Sequence, residues 1–369
     1  MDIQNALTAL QTAGNLREIP SDRLPDAVDF TSNDYLGLGE DVSLREQFFA
    51  NHPPRELAMT SSASRLLAGN QKEYTELERL LEKAYGRAAL LFNSGYHANT
   101  GIIPALAGRS DLILADRLVH ASIIDGIKLS GAQFKRFAHN DYQKLENLLE
   151  ESYDGVKTIL VVVESVYSMD GDRADLRRIA ELKNRFPGII LYVDEAHAVG
   201  VCGPAGLGEA VGQSVADKFD VIIGTFGKAL ASEGAFASLA TRPLREYLVN
   251  KSRSLIFSTA IAPAQVMWTR FMLQTALEAD TLRDKLRANA EELALAVKGG
   301  APSHIRPLIV GDAHKAIMLS KQLAEQGFNV LPIRTPTVPP GTERLRFSLS
   351  AAIPQKKIIE LSEALKKLI

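Results

Sequence analysis

The fold is decided by two stretches of the sequence, Ile189-Ile-Leu-Tyr-Val-Asp-Glu-Ala-His197 and Val221-Ile-Ile-Gly-Thr-Phe-Gly-Lys228. Each begins with a run of apolar, largely β-branched residues and then becomes polar or small. An unbroken apolar run of this kind predicts a strand buried on both faces, as in a parallel sheet. Asp194 and Lys228 would then follow the carboxyl ends of their strands, where open parallel sheets bind ligands.

Short apolar runs alternate with helical stretches on the N-terminal side of these two strands. We predict further strands at Ala88–Phe92, Asp111–Ala115 and Thr158–Val163. Apolar residues at helical spacing predict helices at Tyr96–Ala107, Ala121–Ser130 and Asp175–Arg185. This alternation predicts an α/β protein whose parallel sheet is covered by helices on both faces.

The last third of the chain has a different pattern. Strand-like runs at 305–310, 328–331 and 345–349 lie among helical stretches, which predicts a smaller α+β domain. We therefore divide the chain into an N-terminal helix and arm (1–38), a large domain (39–252) and a small C-terminal domain (253–369).

Composition and charge exclude several classes of protein. The 369 residues are 46% hydrophobic with a net charge of −2, so the chain has no basic footprint for nucleic acid or for a membrane surface. The single cysteine, Cys202, excludes an internal disulfide and a cysteine-based zinc or iron–sulfur site. The first residues lack the order of a signal peptide and no apolar run matches a bilayer span, so we expect a cytoplasmic protein.

Lys228 and Asp194 are the first two candidates for chemistry. A lysine beside small residues at a strand end can form a Schiff base with a carbonyl, although it could also lie in a surface turn. The carboxylate of Asp194 could hold a protonated ring nitrogen, with His197 three residues on, or it could simply cap a helix. The string Asp-Glu-Ala-His also occurs in helicases. We exclude that interpretation because the chain has no Gly-Lys-Ser/Thr phosphate loop.

Two further candidates lie at strand ends. The segment Asn93-Ser-Gly-Tyr-His-Ala-Asn99 joins a strand to a helix, and amides there, at Gly95 and Tyr96, could bind a phosphate or could belong to an ordinary cap. His120 follows another strand and could stack on a planar cofactor. Anion loop, histidine, carboxylate and lysine, in this order, together predict a pyridoxal 5′-phosphate (PLP) site.

The chain resembles the α-oxoamine synthases, a family of fold-type I PLP enzymes. The matching strings are Phe30-Thr-Ser-Asn-Asp-Tyr-Leu-Gly-Leu38, Glu164-Ser-Val-Tyr-Ser-Met-Asp-Gly-Asp172, Val193-Asp-Glu-Ala-His-Ala-Val-Gly200, Thr225-Phe-Gly-Lys-Ala229 and Pro336-Thr-Val-Pro-Pro-Gly-Thr-Glu-Arg-Leu-Arg346. The resemblance implies a mostly parallel seven-stranded sheet, a small C-terminal domain, PLP, and a homodimer with the active site at its interface. It departs from the family's Gly-rich pattern at Thr60–Arg65, where we expect a reshaped acyl pocket.

The resemblance also implies a role for individual residues. Lys228 would bind the cofactor and act as base, Asp194 would keep the ring nitrogen protonated, and His120 would stack on the ring. The residues that would contact the cofactor elsewhere are Gly95, Tyr96, Ser168, His197 and Thr225, and those that would contact substrate are Arg17, Asn33, His120, Thr337 and Arg346. Ser258 or Thr259 would reach the phosphate of the partner subunit.

Within the family, the strings Arg136-Phe-Ala-His-Asn140 and Ile305-Arg-Pro-Leu-Ile-Val-Gly-Asp312 most resemble the branch that condenses L-alanine with pimeloyl-CoA, or with its acyl-carrier-protein form, in biotin biosynthesis. The branches that use glycine with acetyl-CoA, or serine with a palmitoyl thioester, share most of the motifs. Two further classes compete with a synthase: a PLP-dependent aminotransferase or lyase, and a binding protein without activity.

Overall fold

The computed structural model describes residues 2–17, 19, 26–67 and 71–368. In these ranges the strands are β1 (Val28–Asp29), β2 (Ala88–Phe92), β3 (Leu112–Asp116), β4 (Gln133–Phe137), β5 (Ile159–Glu164), β6 (Ile190–Asp194), β7 (Val221–Thr225), β8 (Ala235–Leu239), β9 (Ile305–Ile309), β10 (Phe328–Asn329), β11 (Leu331–Ile333) and β12 (Arg344–Ser348). The α-helices there are α1 (Ile3–Thr12), α2 (Val42–Asn51), α3 (Lys72–Tyr85), α4 (Gly95–Leu106), α5 (Ala121–Ser130), α6 (Tyr142–Ser152), α7 (Leu176–Arg185), α8 (Glu209–Gly212), α9 (Arg242–Lys251), α10 (Arg253–Ile256), α11 (Pro263–Leu277), α12 (Asp280–Ala296), α13 (Ala313–Glu325) and α14 (Gln355–Leu368).

The chain forms two compact units. The large unit contains Leu38–Tyr167 and Arg173–Asp280, and the small unit contains Met1–Gly37, Ser168–Asp172 and Thr281–Ile369. The large unit thus extends beyond residue 252, where the sequence analysis ended the large domain. The reason is that α11 packs against α3, and the Ala264 amide that starts it donates to the Ala58 carbonyl at 3.0 Å. None of the helices described here has both the length and the apolar character needed to cross a membrane.

The large unit is built on a seven-stranded sheet with the strand order β2-β8-β7-β6-β5-β3-β4. The five strands from β7 to β4 are parallel, whereas β8 is antiparallel to both of its neighbours. The predicted α/β fold with a mostly parallel sheet is therefore confirmed. Two strands were not predicted. The edge strand β4 is mostly polar and exposed, and the sequence of β8, Ala-Phe-Ala-Ser-Leu, has a weak strand signal.

Helices cover both faces of this sheet. Alternate residues of β3 point to different sides: Ile113 packs with α4 and α5 in one core cluster, and Leu114 packs with α6 and α7 in another. Because both faces are buried, the strands inside the sheet are mostly apolar, as the sequence indicated, whereas the edge strand β4 is not. The parallel register then aligns the carboxyl ends of three strands, and Glu164 on β5 is paired with Asp194 on β6.

The small unit contains a three-stranded antiparallel sheet with the order β11-β12-β9 and a two-stranded parallel pair, β1 with β10. Its core includes Phe30, whose ring centroid lies 6.3 Å from that of Phe328 and 6.2 Å from that of Phe347. The N-terminal arm is thus held to the C-terminal part of the chain by aromatic packing and by strand pairing. The predicted single strand at 328–331 is divided into β10 and β11.

The crossing of α4 and α5 provides a test of packing. A Cβ atom on Gly126 of α5 would lie 2.7 Å from the Asn99 carbonyl oxygen and 3.2 Å from Ile103 Cβ. Alanine favours a helix by about 1 kcal/mol over glycine, but overpacking against backbone costs about 1–3 kcal/mol. We therefore expect Gly126→Ala to lower the free energy of unfolding by up to about 2 kcal/mol in urea titrations, because the carbonyl it meets belongs to the backbone and cannot rotate away.

The matched control is Gly155→Ala, because a Cβ atom there meets nothing within 4 Å. That variant should stay within about 0.5 kcal/mol of the parent protein. Equal urea midpoints for the two variants would show that α4 and α5 are not in this close contact.

Candidate active site

A cavity of about 190 Å³ lies in the large unit at the carboxyl edge of the sheet. Its lining residues are Gly95, Tyr96, Asn99, His120, Ser122, Glu164, Asp194, Ala196, His197, Thr225 and Lys228. Seven residues that the sequence analysis selected are thus brought together here, although they are distributed over more than 130 positions of the chain. The parallel sheet explains this convergence, since each segment follows the carboxyl end of a strand.

Lys228 is positioned by a tight turn after β7. The Phe226 amide donates to the Gly234 carbonyl at 2.9 Å, and the Thr225 hydroxyl donates to the same carbonyl at 3.1 Å. These bonds close the loop that carries the lysine. The lysine Nζ then lies 2.8 Å from Nε2 of His197, which is a buried residue. An amine held beside an imidazole at a strand end is placed to form a covalent bond with an aldehyde.

Asp194 also lines the cavity and is only 5% exposed. Its Oδ1 accepts a hydrogen bond from the Ala196 amide at 2.9 Å, and its Oδ2 accepts one from Asn99 Nδ2 at 2.8 Å. These two donors fix the plane of the carboxylate. Each oxygen keeps a lone pair for a further donor, so the group can accept a hydrogen bond from a protonated ring nitrogen.

Glu164 and His120 are neighbours of this carboxylate, and burial favours the neutral form of each. A Glu164 oxygen accepts a hydrogen bond from the His120 amide. Burial, reinforced by the charge of Asp194, raises the pKa of Glu164 well above its usual range. Burial is also the main cause that lowers the pKa of His120, and Lys228 acts in the same direction. A neutral imidazole is suited to stack on an aromatic cofactor.

The start of α4 forms another part of the cavity lining. The Ser94 side chain caps this helix by accepting from the His97 amide, and Gly95 is the first helical residue. A Cβ atom on Gly95 would meet nothing within 4 Å, so the space beside the first-turn amides is open. The amides of a first turn have no acceptor within their helix and attract anions. The Tyr96 hydroxyl donates to Asp125 Oδ2 at 2.5 Å.

The lysine, the carboxylate and the helix start together fit PLP. The lysine suits its aldehyde, the fixed carboxylate suits its ring nitrogen, and the open helix start at Gly95 suits its phosphate. The imidazole of His120 lines the same cavity. The assignment of single residues to these roles stays a prediction.

Besides Ala196, three polar lining residues were not predicted: Asn99, Ser122 and Glu164. Each had a weak sequence signal. Asn99 lies one helical turn after Gly95 and therefore on the same face of α4, and Ser122 lies two residues after His120. Glu164 pairs with Asp194 across two parallel strands, so the register brings them together. Ser258 and Thr259 are not among the lining residues of this chain's cavity.

Of the five predicted substrate residues, His120 lines the cavity of the large unit, and the other four belong to the small unit, where they form two pairs. Arg346, which is 3% exposed, donates from Nη2 to Asn33 Oδ1 at 3.2 Å and from Nε to the Ser168 carbonyl at 2.6 Å. Its Nη1 donates to Ser348, which the sequence analysis missed. A buried guanidinium whose described hydrogen bonds all go to uncharged acceptors is suited to bind an anion. The other pair is Arg17 and Thr337, at 2.6 Å.

The Gly-poor segment Thr60–Arg65 keeps a backbone shape that favours glycine. Ser62 has a φ of 53°, in the left-handed region. Its amide donates to Thr60 Oγ1 at 3.1 Å, and Arg65 forms a buried ion pair with Glu78. Side-chain bonds thus support the turn without a glycine. Whether this reshapes an acyl pocket stays a prediction.

Residues 25–365 match a family model described as Aminotransferase class I and II. A relative from Chlorobaculum parvum, named 8-amino-7-oxononanoate synthase, is 44% identical and the alignment covers 99% of this chain and 97% of the relative. A relative from Pasteurella multocida, whose name assigns the same activity provisionally, is 47% identical over 92% of this chain and 90% of the relative. Among solved structures, a serine palmitoyltransferase variant from S. paucimobilis with a bound PLP–myriocin aldimine has a TM-score of 0.90 at 27% identity, covering 99% of this chain and 96% of that one.

Glu195, next to Asp194, yields a pH prediction. The residue has no exposed surface, and its Oε1 accepts from the Ala210 amide at 2.8 Å. Burial raises the pKa of Glu195 from 4.5 to about 8. The folded state therefore holds a proton that the unfolded chain releases above pH 4.5. Stability should fall as pH rises from about 4.5 to about 8, by up to about 1.4 kcal/mol per pH unit.

Glutamine at this position can still accept the Ala210 hydrogen bond and carries no proton to lose. In urea titrations at pH 6, 7 and 8, Glu195→Gln should therefore gain stability relative to the parent as pH rises. Glu181→Gln, at an exposed position, is the control and should follow the parent. A difference between Glu195→Gln and the parent that does not change with pH would contradict a protonated Glu195.

Proposed function

We propose an activity for this chain, which belongs to the aminotransferase class I and II family, since the model of that family matches residues 25–365. The chain condenses L-alanine with a pimeloyl thioester, which yields 8-amino-7-oxononanoate, CO₂ and the free thiol, a step of biotin biosynthesis. It is a PLP-dependent acyltransferase and an α-oxoamine synthase. The observation that carries this function is the cavity lined by both Lys228 and Asp194, in a chain 44% identical to a relative named for that activity.

PLP, when bound, supplies an electron sink that stabilises negative charge at the Cα atom of the amino acid. Lys228 would hold PLP through its aldehyde, and its Nζ would be the base that takes the Cα proton of the amino acid. His197, at 2.8 Å, orients that amine and exchanges a hydrogen bond with it. The Cα atom, as a nucleophile, then forms a bond to the thioester carbon, and the thiol leaves. Loss of CO₂ from the product is followed by return of a proton to carbon.

Asp194 keeps the ring nitrogen of the cofactor protonated, because the carboxylate accepts its N–H. The hydrogen bonds from Ala196 and Asn99 hold this carboxylate in one orientation, so it needs no rearrangement during the reaction. His120 packs on the ring face, and the first-turn amides at Gly95 and Tyr96, together with the Thr225 hydroxyl, hold the phosphate. Ser168 is proposed to contact the phenolic oxygen or the phosphate.

Arg346 is proposed to bind the carboxylate of L-alanine. Its planar guanidinium offers parallel donors that match a carboxylate, and burial strengthens such a bond. Asn33, which accepts from Arg346, would orient it, and Arg17 and Thr337 would contact substrate as a hydrogen-bonded pair. The acyl donor is pimeloyl-CoA or its acyl-carrier-protein form.

The active form is proposed to be a cytoplasmic homodimer. The large unit presents a groove of about 880 Å³ lined by the aromatic residues Phe48, Phe49 and Trp268 and by the exposed Met59. Exposed apolar grooves of this size are typical of protein interfaces. Thr259 also lines this groove, which supports the proposal that Ser258 or Thr259 contributes to the partner's site.

Substrate choice can be tested by measuring thiol release. We expect purified, PLP-loaded protein to release thiol from pimeloyl thioester when L-alanine is present, and only slowly with glycine or L-serine or with acetyl and palmitoyl thioesters. Preference for L-serine with palmitoyl thioester would favour the serine palmitoyltransferase branch. Conversion of L-alanine to pyruvate without any thioester would favour an aminotransferase.

The role of the lysine can be tested by spectroscopy. The parent protein should absorb as a Schiff base that borohydride bleaches, whereas Lys228→Ala should lack this absorbance and lose at least about 10²–10⁴-fold in thiol release. Lys83→Ala, at an exposed position of α3, is the control and should behave like the parent. A reducible chromophore that survives in Lys228→Ala would place the linkage on another lysine.

A further inference from the structure

Asn99 is a buried amide that lines the cavity. It lies on α4 and is only 1% exposed. Its Nδ2 donates to Asp194 Oδ2 at 2.8 Å and to Ser122 Oγ at 2.9 Å, while its Oδ1 accepts from the Tyr192 hydroxyl at 2.5 Å. The carboxylate can only accept, so the amide nitrogen has to face it. The orientation of the Asn99 side chain is therefore determined.

A backbone amide, which can only donate a hydrogen bond, also constrains the ring of His120. The backbone amide of Ser122 donates to His120 Nδ1 at 3.2 Å. A backbone N–H cannot accept a hydrogen bond, so Nδ1 carries no proton. The neutral ring then bears its proton on Nε2.

The Ser122 hydroxyl connects the two side chains. Its Oγ lies 2.7 Å from His120 Nδ1 and 2.9 Å from Asn99 Nδ2. Because Asn99 Nδ2 can only donate, Oγ accepts from it, and the hydroxyl proton is directed to Nδ1. Every donor in this chain of contacts meets an acceptor, from Tyr192 through Asn99 and Ser122 to His120.

We propose that Asn99 and Ser122 are positioning residues that hold the His120 imidazole as the Nε2–H tautomer and link it to Asp194. This inference rests on the proposed function, in which that imidazole packs on the cofactor. It goes further because it assigns the proton of the ring and names the two residues that determine it. The Nε2–H group is then the donor that His120 can direct at a substrate or cofactor oxygen.

Burial and the charged groups around His120 act in opposite directions on its pKa. Asp194 and Asp125 act to raise its pKa, whereas burial and Lys228 act to lower it, and the lowering effects prevail. The pKa of Glu164, which accepts from the His120 amide, is itself raised well above its usual range by burial. A new carboxylate close to Ser122 would change this balance.

Selective ¹⁵N labelling of the seven histidines tests the assignment in the PLP-loaded protein. We expect the His120 signals, identified by their absence in His120→Gln, to show a protonated Nε2 and an unprotonated Nδ1 at pH 7.5. A protonated Nδ1, or a doubly protonated ring, at that pH would overturn the proposal. The measurement needs only cofactor binding, so it stands or fails independently of the thiol-release assay.

The hydrogen bonds that run from Asn99 through Ser122 to His120, called the relay below, are tested by Asn99→Asp. This change replaces the amide donor with an acceptor. The Ser122 hydroxyl would then turn to the new carboxylate, and the midpoint of His120 protonation should rise by about one pH unit. Asn184→Asp makes the same change at an exposed position and should leave the midpoint unchanged. An Asn99→Asp protein that titrates like the parent would contradict the relay.

Ser122→Ala provides a second measurement if Asn99→Asp does not fold. Loss of one hydrogen bond to Nδ1 should lower kcat by about 2- to 10-fold and leave KM for the thioester unchanged. It should also let the ¹⁵N signals of His120 move toward a mixture of tautomers. Unchanged signals together with unchanged kcat would show that Ser122 has only a structural role.

Discussion

The parallel pairing of β5, β6 and β7 is the constraint on which the site depends. It aligns Glu164, Asp194 and Thr225 at one edge of the sheet, although the three residues lie far apart in the sequence. Helices on both faces exclude water from the strands, so side chains at this edge meet in a partly buried space. Proximity, burial and the resulting electrostatics are thus consequences of strand register.

Burial determines the charge of this edge more than the number of acidic residues does. Glu164, Asp194 and Glu195 lie within a short distance along two strands, and three ionised carboxylates there would repel one another. Burial raises the pKa of Glu164 well above its usual range and raises the pKa of Glu195 to about 8. The oxygens of Asp194 accept hydrogen bonds from two donors, Ala196 and Asn99.

Much of the fold and the polar ends of the cavity could be predicted from sequence, because both depend on local signals. Unbroken apolar runs indicated the strands, and Lys228 and Asp194 follow them directly. What was missed depends on contacts distant in sequence. The polar edge strand β4 has no local signature, and Asn99 is meaningful only because α4 brings it 2.8 Å from Asp194, 95 residues away. The extent of the large unit likewise depends on where α11 packs.

The order of strands in the large sheet has one more consequence. The helix that begins at Gly95 follows β2, and β2 is separated from β6 by β8 and β7. A molecule bound at that helix start, at Lys228 and at Asp194 would therefore contact segments that follow β2, at the edge of the sheet, and β7 and β6, within it. Occupancy would add contacts among these segments to those that the fold already provides, so the loaded protein should resist heat and proteases better than the empty one.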